Sequence, residues 1–151
     1  MLYYEDVELD KDVTFDAVYH VTEEEIIEVG ERWDPQPFHI DPEAAKASIF
    51  GGLVASSAHV FVIWVSMGND DIDKDKAIAS VSALGFNNLQ WHAPIRPGDA
   101  IRSSFRITEK RESKSRPELG VVTSDNRMFN QDGETVFTLE CAFLVPKRPP
   151  A

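Results

Sequence analysis

Apolar and polar positions divide the chain into two regimes. Up to about Met67 the pattern is helical and punctuated by prolines; beyond Ala77 it is strand-like. Val13–Val21 is the early exception: it alternates and carries β-branched and aromatic residues, which predicts a strand. Thr22 followed by Glu23, Glu24 and Glu25 predicts a helix start. Thr22 can cap, Glu25 can complete the capping box, and the acids complement the helix dipole. The helix is expected to reach about Arg32. Asp34-Pro35-Gln36-Pro37 forbids regular helix, because each proline pushes the residue before it toward extended backbone. Asp41-Pro42-Glu43 then restarts a short helix, with Asp41 as cap and Pro42 at the first position. After the turn Phe50-Gly51-Gly52, an apolar helix is expected from about Val54 to Met67. It is hydrophobic on nearly all sides, which predicts burial around most of its circumference.

The remainder reads as four strands: Ala77–Gln90, Ala100–Thr108, Gly120–Asn130 and Glu134–Val145. Turn signals separate them at Pro97-Gly98-Asp99, Arg116-Pro117-Glu118 and Gln131-Asp132-Gly133. The loop Asn130–Gly133 is the clearest hairpin. One early strand, one buried helix and a run of antiparallel strands give a single α+β domain, a sheet wrapped on a helix. Asn69–Asp75 is expected to be an acidic loop, and residues 146–151 a short tail that leaves the fold.

Composition sharpens this picture in three ways. The chain has 151 residues and a formal net charge of −11, so nucleic acid is not an expected partner. That charge is uneven: residues 1–75 sum to −14 and residues 76–151 to +3. An anionic ligand would lean on the second half, where Arg102, Arg106, Lys110, Arg111, Lys114 and Arg116 cluster. The same run also reads as a solvated strand face and hairpin. Cys141 is the only cysteine, which excludes an internal disulfide and suits a reducing compartment; in its apolar run it reads as a core residue. The first ten residues have no basic start and apolar core, and Gly51–Asn69 is too short and too polar to span a membrane. The expected location is the cytoplasm.

Asp34 and His39 are the first chemical candidates. They stand five residues apart in a loop stiffened by Pro35 and Pro37. A carboxylate and an imidazole held around one water can share its protons. Spacing alone also allows both to make local turn bonds. The second candidate is the start of the long helix after Gly51-Gly52, with Ser56, Ser57 and His59. Free backbone N–H groups at the positive end of a helix dipole suit a developing oxyanion. The serines also read as small residues at a tight contact, and His59 as a core histidine. There is no nucleophile elbow, no phosphate-cradling glycine loop and no metal-ligand spacing; His20, His39, His59 and His92 are scattered. Neither metal nor organic cofactor is expected.

These residues also carry a family pattern. Asp34-Pro-Gln-Pro-Phe-His39-Ile-Asp41 resembles the D-x-N-P-x-H-x-D signature of MaoC-like dehydratases, the (R)-specific enoyl-CoA hydratases. Ala44 to Ser56, through Phe50-Gly51-Gly52, resembles the segment that follows it in that family. Leu89 to Asp99, with Pro94 and Pro97-Gly98-Asp99, resembles its later strand and turn. The three pieces keep the family's order and spacing. The resemblance implies a hot-dog fold, a curved antiparallel sheet around a long central helix. It implies a CoA or acyl-carrier thioester substrate and reversible syn addition of water to a trans-2-enoyl group. Asp34 and His39 would be the acid/base pair, with a donor N–H near Ser57, and the protein would be a homodimer or dimer-based oligomer. Two residues depart from the pattern. Gln36 replaces the family's Asn, and Ser57 its usual Gly, with consequences for what the site accepts. A hot-dog thioesterase and a non-catalytic acyl-thioester binding module are the alternatives.

Overall fold

The computed structural model describes residues 1–69 and 74–150. The elements are β1 (Asp12–Thr14), β2 (Tyr19–His20), α1 (Glu23–Trp33), α2 (Pro37–Ile40), α3 (Pro42–Lys46), α4 (Ser57–Met67), β3 (Ser82–Trp91), β4 (Ala100–Glu112), β5 (Leu119–Phe129) and β6 (Thr135–Pro146). The sheet has the order β1-β4-β5-β6-β3, with β2 also paired to β4, and every pairing between these strands is antiparallel. The sheet curls around α4, and the main core lies between them: Val60, Ile63 and Met67 of the helix meet Ile101, Met128, Phe137 and Leu139 of the sheet. A second cluster around Val7, Ile107, Val122 and Val145 seals the other end.

Local chemistry explains most of the boundaries. The Thr22 hydroxyl accepts from the Glu25 N–H at the start of α1, as its sequence requires, and Asp41 caps α3 through the N–H groups of Glu43 and Ala44. The hairpin turns at Gly133, whose φ is +76°. Several expectations need correction. The strand expected over Val13–Val21 is two short pieces, because the chain leaves the ladder between Thr14 and Tyr19. Pro37 does not abolish helix after Asp34: it occupies the first position of the single turn α2, where its missing N–H costs nothing. The long helix begins at Ser57 and not at Val54, since the Val54 and Ala55 N–H groups donate to the carbonyls of Phe38 and Ile95. It is also less enclosed than its sequence suggests, with Val62 60% and Val65 40% exposed. Residues 77–81 precede β3 and do not extend it. The expected tail is held through its first three residues: Pro146 pairs with Leu119, Lys147 donates to the Glu118 carbonyl, and Arg148 is bonded to Glu5 and Asp6. The acidic loop expected over Asn69–Asp75 lies largely outside the described residues. No helix among them is long and apolar enough to cross a membrane.

Candidate active site

His39 stands at the centre of the site because three segments converge on it. It sits in α2 with only 6% of its surface exposed. Its Nδ1 lies 2.6 Å from the Val54 carbonyl. A carbonyl only accepts, so Nδ1 carries the proton, and in the neutral ring Nε2 presents its lone pair. Nε2 lies 3.4 Å from Oδ2 of Asp34. Asp34 closes α1, its N–H bonded to the Gly30 carbonyl, and its carboxylate is 40% exposed. Two acceptors face each other at this distance; the gap is too narrow for a water between them, and one lying beside the pair can donate to both.

Gly30, which the sequence reading did not single out, makes this arrangement possible. A Cβ there would lie 2.9 Å from the His39 carbonyl oxygen and 3.0 Å from both His39 Cβ and Ile40 Cγ2. Only a residue without a side chain lets α1 approach α2 so closely. A glycine inside a helix of otherwise good formers costs roughly 1 kcal/mol, and that cost was its one signal in the sequence.

A cleft of about 300 Å³ opens beside His39, lined by Phe38, Phe50, Ser57, Val60, Trp91 and the chain from His92 to Ile95 among others. The first turn of α4 forms one wall. Ser56 caps the helix by accepting from the His59 N–H, which leaves the N–H groups of Ser57 and Ala58 without a partner among the described residues. Both residues are exposed. The Ser57 carbonyl accepts from the Trp91 indole. Of the residues singled out from sequence, His39 and Ser57 both border the cleft, whereas Asp34 lies beside His39 and is not itself one of the lining residues. Ser56 is buried to 1% exposure with its hydroxyl engaged as the cap, and does not line the cleft. Gly52 sits beside the Arg96 guanidinium, which is anchored on the Phe50 carbonyl and braces the glycine turn. Gln36 is exposed and its side chain makes no hydrogen bond among the described residues. Neither Gly52 nor Gln36 lines the cleft.

His59 is more than a packed core residue. Its Nε2 lies 3.2 Å from Glu25 Oε1, and the same carboxylate accepts a short hydrogen bond from the Tyr19 hydroxyl. Burial, helped by Glu25, pushes the Tyr19 hydroxyl up to about 12. This buried polar tie joins α1, which carries Asp34, to α4, which carries the free N–H groups. Half of the basic run expected to attract anions is tied into the fold, and Arg111, Lys114 and Arg116 are solvent-exposed. Arg102 donates to the Phe15 carbonyl, Arg106 grips Asp12 with two bonds, and Lys110 donates to the carbonyls of Tyr4 and Val7. Cys141 is buried, and desolvation pushes its thiol up to about 11, the behaviour of a core residue. Among the described residues no group of His, Cys, Asp and Glu is arranged to hold a metal.

Comparison with known proteins identifies the family and the fold. The sequence profile of the MaoC like domain matches residues 6–127. The crystal structure of a MaoC-like dehydratase from Rhodospirillum rubrum superposes with a TM-score of 0.86 at 32% identity, covering 99% of this chain and 100% of that one. The uncharacterized protein YdeM of Bacillus subtilis is 26% identical over 133 residues, 84% of this chain and 87% of its own length. The R-hydratase PhaJ1 of Pseudomonas aeruginosa shares the fold, with a TM-score of 0.74 at 18% identity over 99% of this chain and 94% of that one. The chain belongs to the MaoC-like dehydratase family, and its single domain has the hot-dog fold.

Proposed function

We propose that the protein is a hydratase/dehydratase that adds water reversibly to trans-2-enoyl thioesters of CoA or an acyl carrier, giving the (R)-3-hydroxyacyl thioester. The observation that carries this reading is the pairing of Asp34 with His39 Nε2 across 3.4 Å, while Nδ1 is committed to the Val54 carbonyl. A water held beside the two acceptors donates to both. Asp34 takes one of its protons as the oxygen bonds to C3. The π electrons move onto the thioester oxygen, where the Ser57 and Ala58 N–H groups and the α4 dipole stabilise the negative charge. His39 orients the water and relays the proton, which returns to C2 as the enolate collapses. Hydroxyl and proton arrive from the same face, so addition is syn. The balance closes without a redox or metal partner.

Asp34→Asn tests this directly. General acid/base groups typically contribute about 10²–10⁴-fold, and a loss of that size is expected in the hydration of crotonyl-CoA. Equal rates for the two proteins remove Asp34 from the mechanism. Release of free CoA without hydroxyacyl product supports a thioesterase, and saturable binding without turnover supports a binding module. The exposed apolar residues Val62 and Val65 of α4, with Leu84 and Phe86 of the terminal strand β3, support a homodimer joined along this side. A cytoplasmic location fits the same reading.

A further inference from the structure

Two cavities lie end to end along α4, between the helix and the inner face of the sheet. The first is the cleft described above, at Ser57 and Val60. The second, about 260 Å³, lies under the last turns of α4, where Trp64 and Val65 face Ala83, Phe86, Cys141 and Phe143. Its lining is chiefly apolar. A row of aromatic rings stands between the two. Phe137 is fully buried, and its ring lies 5.1 Å from that of Trp91, which borders the first cavity. On its other side Phe61 lies 6.5 Å from Phe137, 5.2 Å from Phe86 and 5.7 Å from Trp64, the last two bordering the second cavity. Ile63, Met128 and Leu139, each 3% exposed or less, fill the space around the row.

We propose that this row sets the substrate class by acyl length. Phe137 and Phe61 end the acyl site at the first cavity, so the enzyme takes short enoyl groups of about crotonyl size, and the second cavity is a cut-off extension of the same path. The inference rests on reading the cleft as an acyl-thioester site. Phe137 and Phe61 act as specificity residues: neither borders the cleft, and they hold its end closed from behind Trp91 and Val60, which do, taking no part in proton transfer. In an open apolar channel, each added methylene would tighten binding about fourfold, so octanoyl-CoA would bind on the order of a hundredfold more tightly than butyryl-CoA. With the row in place, that gain is absent.

The test measures binding of butyryl-CoA and octanoyl-CoA, neither of which can be hydrated, by calorimetry, alongside hydration rates of crotonyl-CoA and trans-2-octenoyl-CoA. The intact protein is expected to bind octanoyl-CoA no more tightly than butyryl-CoA and to hydrate crotonyl-CoA with the higher kcat/KM. Phe137→Ala should join the cavities and tighten octanoyl-CoA about tenfold or more while changing butyryl-CoA little. Phe61→Leu, at a half-buried position, gives a smaller shift in the same direction and serves if Phe137→Ala does not fold. A preference for octanoyl-CoA of about tenfold or more in the intact protein overturns the proposal, as does an unchanged ratio in the folded variants. Binding that gains nothing from the longer chain in the intact protein and gains in Phe137→Ala, without hydration, upholds the short site while the hydratase reading fails; equal hydration of both enoyl lengths does the reverse.

Discussion

At Gly30 a single missing carbon decides where His39 can stand. Gly30→Ala puts a methyl group 2.9 Å from the His39 carbonyl oxygen, a backbone atom that yields only if α2 moves. Overpacking of this kind costs about 1–3 kcal/mol, partly offset by alanine's better helix propensity. The variant should unfold at lower urea concentration. It should also lose crotonyl-CoA hydration beyond what its stability explains, because the Asp34 to His39 spacing changes with the helix. Activity that stays intact at full folding would make Gly30 a packing residue only. Asp34 and His39 could be named as candidates from the sequence, since an acid and an imidazole share a proline-stiffened loop; spacing alone left local turn bonds open, and the family pattern singled the pair out. Gly30 could not be named, because its role is a contact with residues nine and ten positions on, and only the fold supplies that distance. The engagement of the Ser56 hydroxyl was hidden for a similar reason: which of two adjacent serines caps a helix depends on where the helix begins.

That beginning shows how elements were and were not readable. The start of α1 followed from its own side chains, Thr22 and Glu25, and the structure starts it there. The start of α4 was set from outside, by the Phe38 and Ile95 carbonyls, which capture the N–H groups of Val54 and Ala55. Tertiary hydrogen bonds of this kind leave no mark in local pattern. Ser56 then holds the boundary. Ser56→Ala removes the cap from the His59 N–H, in a buried setting, and should lower stability by about 1–2 kcal/mol in urea unfolding. A change below a few tenths would show that another group takes over the cap. The same boundary leaves the Ser57 and Ala58 N–H groups free at the helix start, with Ser57 on the cleft, so the sequence pointed to this helix end as a candidate while the fold selected which residues present it.

For the molecule as a whole, the α+β architecture and the run of late antiparallel strands were legible in the sequence, but the order of strands in the sheet and its incomplete covering were not. An all-round apolar helix implied enclosure, yet Val62 is 60% exposed and Leu84, on the sheet's terminal strand, 53%. A second copy is the proposed cover. Sedimentation velocity is expected to show a dimer at micromolar concentration, and Val62→Glu with Leu84→Asp should shift it toward the monomer. A monomer in the unaltered protein would refute the proposal. The acidic net charge of −11 bears on solubility here, since Arg102, Arg106 and Lys110 are tied into the fold and none lines the cleft.

The Trp91 indole has one further consequence. It borders the cleft, donates to the Ser57 carbonyl and remains 45% exposed. Of the other two tryptophans, Trp33 sits at the end of α1, 68% exposed and stacked with Arg32, and Trp64 packs in the aromatic row. A thioester entering the cleft would displace solvent from one indole in particular, and the intrinsic emission should move toward the blue. Occupancy of the site can thus be followed optically, with no label attached and no turnover required, and Trp91→Phe supplies the silent control.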